Sequence, residues 1–211
     1  MTISLGSNWQ HDLWRSPYWL RFELDDGEYV GRYVTKFISS YDRAREVARR
    51  ALPSQEIVGI IGFFPNPSLE MNAERLGWTS GSGAQNLADL GVSTDAAIAE
   101  WEGYWWPDDV DDPEAEPWVQ RAVHLNWEEV DILLWNQIAQ DLGVAPRAPV
   151  FSKFVDLAKG VCVYAYDDRG MDVTCLNKAP LEELYNRCND WLLDFDRERM
   201  AAVFASSENG S

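Results

Sequence analysis

The chain has 211 residues and a formal net charge of −17, with 35 acidic against 18 basic side chains. A body that negative repels phosphate backbones and anionic membrane surfaces, which excludes nucleic acid and membrane as partners, and it attracts cationic surfaces. The excess is uneven: residues 1–53 carry eight Lys or Arg against seven Asp or Glu, and residues 54–211 carry ten against twenty-eight.

In chain order, residues 19–24 alternate as a first strand that ends at the turn Asp25-Asp26-Gly27. Ser39 or Ser40 is placed to cap a helix whose apolar positions, Tyr41, Ala44, Val47, Ala48, Ala51 and Leu52, recur at three- and four-residue spacing until Pro53 closes it. Its polar face carries Arg43, Arg45, Arg49 and Arg50, a dense basic patch; Arg near a helix C-terminus is also favourable with the helix dipole. Residues 56–64 are apolar throughout, as in a strand covered on both faces.

The middle is less regular. Thr79-Ser80-Gly81-Ser82-Gly83 is a small-residue loop without the glycine spacing or the lysine of a phosphate-binding loop. A short helix is predicted from Thr94 to Gly103. Residues 107–117 set Asp108, Asp109, Asp111, Asp112, Glu114 and Glu116 among three prolines. Such a segment cannot bury itself and reads as an exposed acidic loop, without the glycine and ordered alternation of an EF-hand. Trp105 and Trp106 precede it and Trp118 follows, which supplies aromatic anchors within an acidic rim.

Regularity then returns. Trp118–Leu125 reads as a strand, and Asn126 with Glu129 forms a capping box. Trp127, Val130, Leu134, Ile138 and Leu142 line one face of the helix that follows, and Gly143 terminates it. Residues 160–176 are a hairpin: one strand at 161–166, the turn Asp167-Asp168-Arg169-Gly170, and a return at 171–176, with Gly170 expected at positive φ. Pro180 opens a final helix whose apolar face is Leu181, Leu184, Tyr185, Cys188, Trp191, Leu192 and Phe195, with Leu184 and Trp191 expected against the sheet. Strands and helices therefore give an α+β fold, a mixed, mostly antiparallel sheet with helices packed on it. It forms one domain over residues 1–204, followed by a frayed tail at 205–211.

Eleven Trp, eight Tyr and eight Phe exceed the needs of one core and point to an aromatic contact surface. Cys162, Cys175 and Cys188 each lie in an apolar pattern and read as reduced, buried thiols of a cytoplasmic protein. No apolar run reaches the length of a membrane span, and residues 1–10 lack the pattern of a secretory signal. His11 and His124 have no metal-ligand spacing, and neither a nucleophile elbow nor a Cys-x-x-Cys pair is present, so no cofactor and no catalytic residue is assigned. The most site-like cluster is the hairpin turn, with Asp167, Asp168, Arg169, Gly170 and Asp172 beside Tyr166. Aspartates cap turns and Arg169 can neutralise Asp167 or Asp172, which makes the cluster structural; two adjacent carboxylates can also hold magnesium for a hydrolytic reaction.

Tyr166-Asp167-Asp168-Arg169-Gly170-Met171-Asp172-Val173, Leu184-Tyr185 and Asp190-Trp191-Leu192-Leu193-Asp194-Phe195-Asp196-Arg197 resemble the C-terminal signature of the bacterial domain-of-unknown-function 3885 family. Leu20-Arg21-Phe22-Glu23-Leu24 and Tyr41-Asp42-Arg43-Ala44 resemble its opening strand and helix. The resemblance implies a fold and a bacterial origin and carries no active-site residues, and the acidic stretch at 108–116 departs from the family pattern. The charge favours a non-enzymatic acidic protein that binds a cationic partner, as an immunity protein covers a basic nuclease toxin. The other readings are an α+β protein whose acidity only maintains solubility, and a metal-assisted hydrolase using Asp167, Asp168 and Asp172.

Overall fold

A computed structural model of the chain describes residues 3–25, 27, 32–54, 56–64, 82–106, 109, 111, 112 and 114–205. Strands β1 (Trp19–Glu23), β2 (Ile57–Phe63), β3 (Ala99–Gly103), β4 (Trp118–Leu125), β5 (Val150–Asp156), β6 (Val161–Ala165) and β7 (Gly170–Cys175) form one sheet in the order β1-β7-β6-β5-β2-β4-β3. Each neighbouring pair is antiparallel. The helices are α1 (His11–Trp14), α2 (Tyr33–Ala51), α3 (Ser82–Asp89), α4 (Trp127–Leu142), α5 (Ala179–Arg187) and α6 (Arg197–Phe204).

The period-2 alternation of each strand divides the core in two. One face buries Phe22, Ile57, Ile61, Phe154, Val163 and Val173 against the apolar stripes of α2, α4 and α5, among them Ala44, Val47, Leu134, Ile138, Leu181 and Leu184. Among the described residues, the opposite face has no long helix. Trp9 and Leu13 from the N-terminal segment, with Trp105 and Trp118, cover Val58, Ile60, Val155, Cys162 and Tyr164 there. The α4 cap is as predicted: Asn126 Oδ1 accepts from the Glu128 and Glu129 N–H groups, the Glu129 carboxylate accepts from the Asn126 N–H, and Gly143 ends the helix at φ 66°.

Four local expectations are corrected. Helix α2 starts at Tyr33 rather than at Ser39 or Ser40, and Ser40 is buried in mid-helix. Its N-cap, Arg32, makes no side-chain cap, so tertiary packing of Phe37 edge-on against Trp135 of α4 (4.4 Å) takes the place of a local start signal. Residues 99–103 are strand β3 instead of helix: Ala99, Trp101 and Gly103 alternate with exposed Glu100 and Glu102, and β4 offers a free edge to pair with. Of the small-residue loop, Ser82 and Gly83 open α3, and residues 79–81 lie outside the described set. The final helix breaks after α5. Leu192 and Leu193 turn extended, Leu192 bridges to Phe22, and the Leu193 N–H donates to the Arg21 carbonyl (2.9 Å), so the sheet edge at β1 takes up residues that a helix would have used. Phe195 is consequently 90% exposed and Trp191 only half-buried, while Leu184 is buried as expected. Residues 206–211 of the expected tail lie outside the described set.

Gly170 is also corrected, because it does not have positive φ. The residue is glycine for another reason: the Tyr166 ring lies over it, and a Cβ would run into the phenolic oxygen and ring carbons. Gly170→Ala is expected to destabilise the fold by about 1–3 kcal/mol through overpacking, and the loss should shrink in a Tyr166→Ala background. Urea denaturation of the two single variants and the double variant checks this; an unchanged penalty without the ring would remove the explanation.

Candidate functional site

Of the three predicted aromatic anchors, only Trp106 reaches the surface, at 38% exposure. Trp105 is fully buried, and its indole N–H donates to the Tyr164 hydroxyl (3.1 Å). Trp105 stacks on Trp118 (5.6 Å between ring centres), and Trp118 stacks on Phe151 (5.8 Å). Among the described residues, rings rather than a helix close this part of the sheet, and Gly62 leaves the space that the Trp105 ring fills. Trp105 and Trp118 are thus core residues rather than anchors. Trp106 stands edge-on to both Trp118 (5.6 Å) and Phe151 (6.0 Å), so its base is fixed while its outer edge meets solvent. Asp111, Asp112, Glu114 and Glu116 are exposed beside it, and Asp109 is half-buried; Asp108 lies outside the described residues. The Asp112 carboxylate accepts from the Glu114 N–H (2.9 Å), which gives the acidic segment a local turn.

The hairpin carboxylates are buried and divided among separate cations. Asp167 caps the turn by accepting from the Arg169 and Gly170 N–H groups (2.7 and 3.0 Å) and pairs with the Arg169 guanidinium. Asp168, 1% exposed, pairs with Lys36 at the start of α2, which also holds Asp25. Asp172 receives Nε and Nη2 of Arg21 (2.9 and 3.3 Å), and the same guanidinium reaches Asp196 (3.0 Å). The hydrogen bond to Asp172 raises the Arg21 pKa, while burial raises that of Asp172 against the pull of the guanidinium. Asp141 at the end of α4 shares a hydrogen bond with Asp168; that contact, partial burial and the nearby aspartates push it up to about 6. The cluster fastens β1, β7, α2 and α4 to one another. Among the described residues, no group of three or more His, Cys, Asp or Glu is arranged to hold a metal ion.

Sequence reasoning missed the most unusual polar group. No strand was expected at 150–156, yet β5 lies inside the sheet between β2 and β6 and pairs Lys153 with Ile60. Lys153 is 3% exposed. Its Nζ donates to Gln10 Oε1 (2.7 Å) and to the Trp105 carbonyl (2.8 Å). It also lies 4.2 Å from the Trp105 ring centre, 5.0 Å from that of Tyr164 and 5.7 Å from that of Trp9. Burial lowers its pKa to about 7, and the same burial pushes the neighbouring Cys162 thiol up to about 12. The cavity beside the amine is only about 20 Å³, too small for a substrate. Lys153 therefore fastens the N-terminal segment and the Trp105 segment to the sheet. The available signal was the apolar pairs Val150-Phe151 and Phe154-Val155 on either side of Ser152-Lys153.

These features define an α+β protein built on one antiparallel sheet, with helices on one face and an aromatic layer fastened by a buried lysine on the other. The chain belongs to the family described as Domain of unknown function (DUF3885), whose model matches residues 7–196. That range takes in the acidic segment as well as the two ends that carry the resemblance in sequence. No curated protein and no solved structure matches the chain. Among the described residues, no helix is long and apolar enough to cross a membrane.

Proposed function

We propose that this is a non-enzymatic, cytoplasmic protein-binding protein whose carboxylate surface covers a cationic surface on a partner protein. An immunity protein that shields a basic nuclease toxin is its particular form. The observation that supports this reading is the exposed edge of Trp106 among exposed Asp111, Asp112, Glu114 and Glu116, on a base held by stacked rings. Cations that would offset such a surface are engaged elsewhere: Arg21, Lys36, Arg45 and Arg169 are all held in ion pairs within the fold. A nuclease must be basic to hold nucleic acid, so a carboxylate-rich inhibitor fits the same ground, and opposite charge speeds the encounter.

The test is a pull-down from the native host followed by association kinetics at two ionic strengths. Changing Asp111 and Asp112 to Asn and Glu114 and Glu116 to Gln together is expected to slow association by about tenfold and to flatten its salt dependence, with folding nearly unchanged. Trp106→Ala should instead speed dissociation. A partner that associates equally fast without the charges would overturn steering, and recovery of no basic partner would overturn the proposal itself.

A further inference from the structure

We infer that the cavity at the C-terminal end of α2 is a binding site for a phosphorylated small molecule. The cavity has a volume of about 490 Å³ and is bounded by three separate pieces of chain: the last turn of α2, the β5–β6 turn and α5. Arg49, Arg50, Lys159 and Arg187 line it, against Glu183 as the one lining carboxylate. In a chain of net charge −17, that is a local reversal of sign.

Internal pairing accounts for only part of this positive charge. Arg50 is matched by Glu46 and Arg187 by Glu183, each four residues away on its own helix. Arg49 shares Asp131 with Arg45 and lies 4.7 Å from the Trp127 ring centre, so its guanidinium is held by residues that do not line the cavity. Lys159 is exposed on the β5–β6 turn and makes no ion pair among the described residues. Lys159 is therefore the unmatched cation at the cavity, and Arg50 and Arg187 stand beside it as further donors for charge-assisted hydrogen bonds to a phosphate.

The remaining wall is apolar. Pro53, Pro180 and Leu184 supply a surface for an organic group, and the volume exceeds what a bare phosphate fills. The cavity also meets the opening turn of α5, where Lys178 provides no side-chain cap and the helix dipole adds to the cationic field. The field of the whole molecule opposes anions, so selection here depends on short-range contacts, and a long polyanion that spreads beyond the cavity is rejected.

The experiment titrates the full chain with ADP, with inorganic pyrophosphate and with adenosine, reading backbone amide shifts by NMR. Saturable shifts at Lys159, Gly160 and Ala179 are expected with ADP, weaker binding with pyrophosphate and none with adenosine. Lys159→Glu should weaken ADP binding by about tenfold or more, whereas Arg15→Glu, the same charge change on an exposed residue of the N-terminal segment, should leave it within about twofold. Absence of saturable shifts with ADP would overturn the inference, as would equal losses in the two variants. Pyrophosphate binding as tightly as ADP would overturn the role of the apolar wall.

Discussion

Replacing Lys153 by Met is expected to flatten the rise of stability with pH between about 7 and 8.5. The folded-state pKa of Lys153 lies near 7, below its ordinary value of 10.5. Between those two values the unfolded chain holds a proton that the folded chain has released, so raising the pH favours folding. Below about pH 7 both states are protonated and the slope vanishes. The buried amine contributes up to about 1.4 kcal/mol per pH unit within the window. Cys162, Cys175 and Cys188 act with the opposite sign: burial raises each thiol pKa, and the fold loses stability as pH climbs through their ordinary value of 9.0. Equilibrium unfolding in urea at half-unit steps from pH 6.5 to 8.5, wild type against Lys153→Met, isolates the lysine. Parallel pH profiles in the two proteins would show that the amine is not held neutral by burial.

Trp105→Ala is expected to cost about 3–5 kcal/mol, against less than about 1 kcal/mol for Trp106→Ala. The two neighbours differ because Trp105 fills the space over Gly62, donates to Tyr164 and forms one wall around Lys153, whereas Trp106 keeps one edge in water. Truncating Trp105 opens a cavity and brings solvent to the amine, so the Lys153 pKa should also move back toward its ordinary value. Denaturant midpoints decide the first point and the pH profile the second. Equal costs at the two tryptophans would place Trp105 outside the core.

How much of this was legible in sequence depended on whether the determinant was local. The Asn126–Glu129 capping box, Gly143 and the hairpin between β6 and β7 were read correctly because their signals lie within a few residues of one another. Asp167 was recognisable as a turn cap and as the partner of Arg169 for the same reason. Asp172 was paired with Arg169 as an alternative, and its true partner, Arg21, sits at the far end of the sequence. β5 was missed because Ser152 and Lys153 break its apolar run; Lys153 is tolerated inside the sheet because Gln10 and the Trp105 carbonyl accept from its amine. Trp105 and Trp106 are indistinguishable in sequence, and only the path of the chain across the uncovered sheet face makes one core and the other surface.

The pairing of β1 with β7 governs how this chain can assemble. Trp19 lies against Thr174 and Glu23 against Gly170, and Arg21 and Asp172 are 151 residues apart in sequence, so β1 waits for a strand made much later. The Arg21–Asp172 bridge and the Lys36–Asp168 contact wait with it. Closing such distant contacts is entropically slow, and it sets folding nearer the rate of β-rich domains than that of helical bundles. Until β7 is made, β1 is an unpaired strand beside the aromatic Trp9–Trp14 segment, the kind of exposed edge and apolar surface that favours aggregation.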